Sequence, residues 1–484
     1  MLGKHQNWGE LFQKKDCKLF QSSNGQTGRY AALSYCWGAD LPSTTTTINL
    51  QAHKSAIDFS TLPQTLKDAI VVVRWLGIEY IWIDCLCILQ DSKADWEHES
   101  ARMADVYSNA HLTIAASRAE HCGEGFLGVR KVRTPLCVDI EDDEGPSKFY
   151  FQQRSDRSYE FSQALDRRAW AAQESLLSHH VLRFNEGQMT RGCDQFYGTE
   201  DGSEDHAGLI VGRIEKIAES VSQPWQPNGQ QFAIGHWARF IESYSARQLT
   251  YDTDALPAIS GIIQEIQRLT GDTYYSGLWK QNFLDGLLWR PEARLGSPER
   301  VEGHPQTPRR RHEWIAPSWS WASVQGRITH LLWYSDIEYS ACLEECSVTH
   351  CGIDPFGALK EGFARLTGPV TFVTDVQAEF EVPDGRGCMI QLRNGISTEG
   401  IVFFDFVHHM SCDVLMITSS RGICIEKVEH MTNTYVRIGV VIVRSVQHTG
   451  DKVAYNLVGN LAAKGDWRSL TTSDHVPPRS IILV

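Results

Sequence analysis

The sequence predicts an α/β protein: a small parallel sheet flanked by helices, followed by a helical region and a β-rich C-terminal module. Three observations carry this. Strand-like and helix-like patterns alternate from Tyr30 to Ser117, helical periodicity dominates from Ala164 to about Trp289, and short β-branched runs divided by turns fill the tail.

The first strand is "RYAALSYCWG", Arg29 to Gly38, an aromatic-rich run ended by a glycine turn. A helix follows in "TLPQTLKDAIVVVRWLG", with Pro63 suited to its start and Gly77 to its stop. Leu66, Ala69, Ile70, Val73 and Leu76 form its core-facing stripe, and Val71, Val72 and Trp75 predict that a second face is covered too. Tyr80 to Asp84 is a continuous apolar run stopped by an acid, as in a central parallel strand. The next helix, about Ala94 to Ser108, starts beside Asp91 and Asp95, whose charges favour the positive end of the helix dipole. "HLTIAAS" resumes the strand pattern, completing a βαβ rhythm.

Beyond Cys122 the glycine-rich "CGEGFLG" and acidic "DIEDDEGPS" loosen that rhythm. The expected division is therefore 1–125 for the α/β domain, 126–325 for a largely helical companion region and 326–484 for the β-rich module. The β-branched runs "FARLTGPVTFVTD", "GIVFFDFVH", "DVLMITSS", "YVRIGVVIVRSV" and "RSIILV" mark this last part.

Totals narrow the function. A net charge of -13 repels phosphate backbones and argues against nucleic acid as a partner. Arg309 to Arg311 is the strongest basic run and reads as a solvated loop. No apolar run reaches the ~18 residues that cross a bilayer, and "MLGKHQNWGE" has no signal core, so the expectation is a cytoplasmic chain without a membrane span. Thirteen cysteines without regular spacing fit reduced, mostly buried thiols. Walker A, Gly-x-Gly-x-x-Gly and Gly-x-Ser-x-Gly motifs are absent, which disfavours P-loop enzymes, kinases and ordinary lipases. No metal site is expected: "CLEECSVTHC" matches no common finger spacing, and His179-His180 and His408-His409 lack a zinc-protease glutamate. Trp319 and Trp321 in "SWSWAS" read as core fillers.

Several stretches together resemble the fungal heterokaryon incompatibility (HET) domain family. They are "YAALSYCWG", "TLPQTLKDAI", "LGIEYIWIDCLCILQD" and "DWEHESARMADVYSNAHLTIAAS", followed by "RRAWAAQESLLSHHVLRF", "YSARQLTYDTDALPAISGI" and "APSWSWAS". HET domains are in turn distantly similar to TIR domains, which have a flavodoxin-like parallel sheet and in some members cleave NAD with a catalytic glutamate. The resemblance implies a nonself-recognition effector of programmed cell death, with NAD as a possible substrate rather than a bound cofactor.

Ligands of open parallel sheets bind beyond the carboxyl ends of the strands, where Asp84 and Cys85 fall. On the following helix Asp95, Glu99, Arg102, Met103 and Val106 share one face. A fixed carboxylate there can stabilise the positive charge that develops on ribose during glycosidic cleavage, making Glu99 and Asp84 the candidate catalytic pair. The competing reading of Glu99 is a helix anchor against Arg74 or Arg102. Ser34, Trp37, Cys85 and Cys87 are candidate ligand contacts; the two cysteines share one side if the strand continues through them, and packed thiols are the plainer reading. In "RRAWAAQESLL" a helix sets Glu174 near Arg167, a structural pair. Two other functions stay open: a HET-like enzyme of fungal secondary metabolism acting on a small organic intermediate, and a non-catalytic recognition module whose tail meets a protein partner.

Overall fold

The computed structural model describes residues 17–23, 26–38, 43–130, 136–142, 145–151, 163–193, 196–200, 202, 214–222, 235–292, 309–330, 339–374, 376, 386–391, 397–405, 411–418, 420–443 and 478–484. The expectations for the N-terminal segment and for His408-His409 fall outside these residues. The chain divides into two compact units, Met1–Arg213 and Ile214–Val484.

The first unit is built on a six-stranded sheet, β1 (Tyr30–Ser34), β2 (Tyr80–Trp82), β3 (Leu112–Ala115), β4 (His180–Phe184), β5 (Met189–Cys193) and β6 (Tyr197–Thr199), in the order β2-β1-β3-β4-β5-β6. The first four strands are parallel, with Ala32 opposite Trp82 and Thr113 on β1 and β3's other side opposite Val181. β5 and β6 extend the sheet antiparallel. Helices α1 (Gln64–Trp75) and α2 (Lys93–Ser108) are the crossovers, and α3 (Trp170–Leu176) precedes β4.

The alternation of β1 assigns its two faces. Ala31, Leu33 and Tyr35 pack in one cluster with Leu66, Ala69, Ile70 and Val73 of α1. Ala32 joins a second cluster with Met103 and Tyr107 of α2 and, at its margin, Tyr30, Trp82 and Trp170. Each fully buried Leu, Ile or Val side chain here contributes about 1.5–3 kcal/mol. The last turn of α1 departs from its expected stripe: Leu76 is exposed and so is Trp75, because the helix ends at Trp75 and Gly77, at φ +66, turns the chain away.

Two more elements differ from expectation. The strand of "YIWIDCLC" stops at Trp82, and Asp84–Cys87 is a helical turn, so Cys85 and Cys87 do not alternate along a strand. The stretch from His180 to Thr199, expected to be mostly helical, supplies three strands, because β4 pairs along β3 and gives its exposed backbone groups partners.

The second unit contains helices α4 (Ile214–Ser222), α5 (Gly235–Ser245) and α6 (Ser260–Thr270) and a nine-stranded sheet. Its strands are β7 (Cys342–His350), β8 (Leu359–Gly368), β9 (Val370–Thr374), β10 (Arg386–Gln391), β11 (Ser397–Phe404), β12 (Cys412–Met416), β13 (Arg421–Lys427), β14 (Thr434–Val443) and β15 (Arg479–Leu483). The order β14-β11-β10-β9-β12-β13 returns to β14 through a β13–β14 pairing and closes a barrel. Closure removes the unpaired edges that an open sheet would leave. Val373, Ile390, Val402, Val414, Cys424 and Val441 fill it. β15 lies parallel to β14 and joins it to β8 and β7.

Trp319 and Trp321 are buried, and Trp321 Nε1 donates to the Gly277 carbonyl at 3.1 Å. The basic run is only partly solvated. Arg309 and Arg310 form an exposed two-residue strand, whereas Arg311 is half-buried, 2.5 Å from Asp252, and donates from Nε to the Ala322 carbonyl at 2.9 Å. Among the described residues no cysteine takes part in a disulfide. Among the described residues no helix is long and apolar enough to cross a membrane.

Candidate functional site

At the carboxyl ends of β1 and β2 the chain buries a charged cluster. β1 ends on Ser34, whose hydroxyl donates to Glu174 Oε2 on α3. Glu174 is 1% exposed. Just beyond β2, Asp84 opens the helical turn; its Oδ2 accepts from Trp37 Nε1 at 2.7 Å and its Oδ1 from the Cys85 backbone N–H at 2.7 Å. Arg168 donates to the Tyr35 carbonyl, and its charge attracts both Glu174 and Asp84. Tyr107 of α2 donates to the Leu33 carbonyl at 3.1 Å and sits beside Glu174.

The electrostatics follow from burial. Burial pushes the Glu174 carboxyl above its ordinary value, against the opposing pull of Arg168 and of the Ser34 hydrogen bond. Asp84 is raised in the same way, with Arg168 and the Trp37 hydrogen bond opposing. The cluster therefore holds protons more tightly than the same carboxyls in water. Chemically it offers two carboxyls, a guanidinium whose charge both feel and a hydroxyl already bonded to one acid.

The cluster gathers three expected residues, Ser34, Trp37 and Asp84, around two whose importance the sequence reading missed, Arg168 and Glu174. Glu174 faces Arg168 rather than Arg167. Residues Leu165–Arg167 form a separate 3-10 turn and α3 starts only at Trp170, so the helical spacing assumed for Arg167 does not exist; Arg167 instead lies 4.0 Å from Glu120. The available signal was a lone acid among the small residues of "WAAQESLL", a charge on an otherwise core-like helix.

Cys85 is buried, and its thiol is raised chiefly by burial and next by Asp84. It borders a hollow of about 10 Å³ together with Tyr35, Trp37 and Cys122, room for about one water molecule. Cys87 accepts from the Ile83 N–H at 3.5 Å, and its thiol is pushed up to about 12, mainly by burial, with Asp84 and Glu99 both adding. Asp84 and Glu99 thus both act on one thiol. Glu99 itself stands on α2 with its carboxylate 3.7 Å from Arg102 and 3.9 Å from His98, outside the Asp84–Arg168–Glu174 cluster. Neither thiol has the lowered pKa of a nucleophile.

Residues 30–174 match the family described as heterokaryon incompatibility protein (HET). The match opens on the first residue of β1 and ends on Glu174, so it encloses the whole cluster. No curated protein and no solved structure matches the chain.

Proposed function

With residues 30–174 as a HET domain, we propose that this chain acts in heterokaryon-incompatibility-type nonself recognition, as an effector that promotes cell death by cleaving the glycosidic bond of NAD. The observation that carries the chemistry is the pair of buried carboxylates, Asp84 and Glu174, both attracted by Arg168, at the strand ends where open parallel sheets bind ligands. The strand order β2-β1-β3-β4 supports the flavodoxin-like comparison. In this reading the ribose–nicotinamide C–N bond breaks with its electrons leaving on neutral nicotinamide. Asp84 stabilises the positive charge on the ribose, and water adds there while Glu174 takes its proton. Ser34 and Trp37 orient the two acids through the bonds described above. Glu99 is the rival acid, on α2.

The test is direct. Purified protein is incubated with NAD, and nicotinamide and ADP-ribose are followed by mass spectrometry. Turnover in the native chain should fall about 100-fold or more in Glu174→Gln with no loss of Tm, the scale expected when a proton-transfer group is lost. Loss in Glu99→Gln with Glu174→Gln unaffected transfers the role to Glu99.

A second reading is a non-catalytic recognition module. It is favoured by the closure of the cluster, whose neighbouring hollow of about 10 Å³ admits no nucleotide. Absence of NAD turnover by the native chain, with the protein folded, selects it.

A further inference from the structure

One short stretch of the first unit closes the hollow beside the cluster. Ser43 and Thr44 line that space of about 10 Å³ together with Tyr35, Trp37 and Cys85. The Trp37 ring N–H and the Cys85 backbone N–H are the two groups that donate to Asp84, so the stretch lies against the acid's own partners. Thr45 fixes it there through two backbone bonds. Its N–H donates to the Cys85 carbonyl at 3.0 Å, and its carbonyl accepts from the Gln90 N–H at 2.9 Å.

Polar bonds rather than packing hold this stretch down. Its one apolar residue, Ile48, is 93% exposed, and Thr45, its one buried residue, has its hydroxyl 2.9 Å from His53 Nδ1. At the outer end the Asp91 carboxylate accepts from the Thr47 N–H at 2.9 and 3.1 Å and from the Thr47 hydroxyl at 2.6 Å. Those bonds favour the ionised acid and hold Asp91 below the ordinary aspartate value. By contrast, β1 buries four of its five residues. A segment with exposed hydrogen bonds and little apolar burial opens more readily than such a strand.

We infer that residues 43–48 are a strap that keeps small solutes from the Asp84 cluster, and that the Asp91–Thr47 bonds are its latch. With the strap lifted, the hollow beside Trp37 and Cys85 opens at the carboxyl ends of β1 and β2, where open parallel sheets take nucleotides. As regulation of a reacting site this rests on the NAD reading above; as a statement about access to Cys85 it does not.

Cys85 reports the opening, because its thiol borders the hollow and the residue is 4% exposed with the strap in place. The full chain is treated with iodoacetamide without denaturant, and alkylation of each cysteine is followed by peptide mass spectrometry. Asp91→Ala removes the latch at the surface and should keep its Tm while raising the rate of Cys85 alkylation about tenfold or more, the scale of lost hydrogen bonds to a charged group. Thr47→Val deletes only the hydroxyl bond and should give a smaller rise, about threefold. Cys36 packs in a different cluster, with Ala115, Leu165 and Val181, and its rate should not change. Unchanged Cys85 alkylation in Asp91→Ala, or an equal rise at Cys36, overturns the strap. Faster Cys85 alkylation in Asp91→Ala without NAD turnover in either chain supports the strap and overturns the NAD reading alone.

Discussion

Both units bury an arginine against carboxylates, yet they surround it differently. In the first, Arg168 is attracted by both Asp84 and Glu174, both Asp84 oxygens are occupied, and the adjoining hollow is about 10 Å³. In the second, Arg437 donates to Asp405 and two carbonyls, one Asp405 oxygen is left over, and the adjoining cavity is about 940 Å³. The same ionic chemistry thus serves a closed cluster in one unit and borders open space in the other. Burying such pairs is costly, and removing one partner is costlier still, because it strands the other charge away from water.

The sharpest way to break the comparison is at the single pair. Arg437→Met leaves Asp405 buried without its cation and removes donors from the Trp289 and Leu287 carbonyls. It should destabilise the chain by about 3–5 kcal/mol in denaturant unfolding. Trp37→Phe is the next step down. It keeps the packing of the ring and deletes the 2.7 Å bond to Asp84 Oδ2, and should cost about 1–3 kcal/mol.

Glu174→Gln sharpens the contrast through pH. Burial raises the Glu174 pKa, so the folded state binds this proton more tightly than the unfolded state does. The stability it supplies is complete below the ordinary glutamate value of 4.5 and is lost as pH rises through the raised folded value. The Gln variant cannot ionise. Its Tm should therefore match the native chain in acid and exceed it by a few degrees at neutral pH, read from thermal unfolding across the range. Asp84 is shifted in the same direction, so some decline with pH should persist in the variant.

The smallest effect is expected at Glu99. Its carboxylate is 3.7 Å from an Arg102 side chain that is more than half exposed, so Glu99→Gln should change stability by about 0.5 kcal/mol or less. A larger loss would show that this acid is held as firmly as the buried ones.

Much of the first unit was legible as sequence. "YAALS", "TLPQTLKDAI" and "LTIA" state their periods plainly, and the elements appear where those periods end. The short parallel strands were readable because burial on both faces demands continuous apolar runs. The strands from His180 to Thr199 were not, since what makes them strands is the pairing offered by β3, far away in the chain. Ser34, Trp37 and Asp84 were singled out from local position alone, whereas Arg168 and Glu174 were not grouped with them: the Ser34–Glu174 contact joins residues 140 apart.

By itself, the order of residues determined the βαβ opening and the β-rich tail, because period and turn chemistry act over a few neighbours. It also determined the HET resemblance of residues 30–174. Only the tertiary structure decided that β14 closes a barrel, that Arg168 rather than Arg167 meets Glu174, and that one oxygen of Asp405 goes unpartnered. Those outcomes depend on which groups are carried out of water together, and that is a property of packed surfaces, not of spacing along the chain.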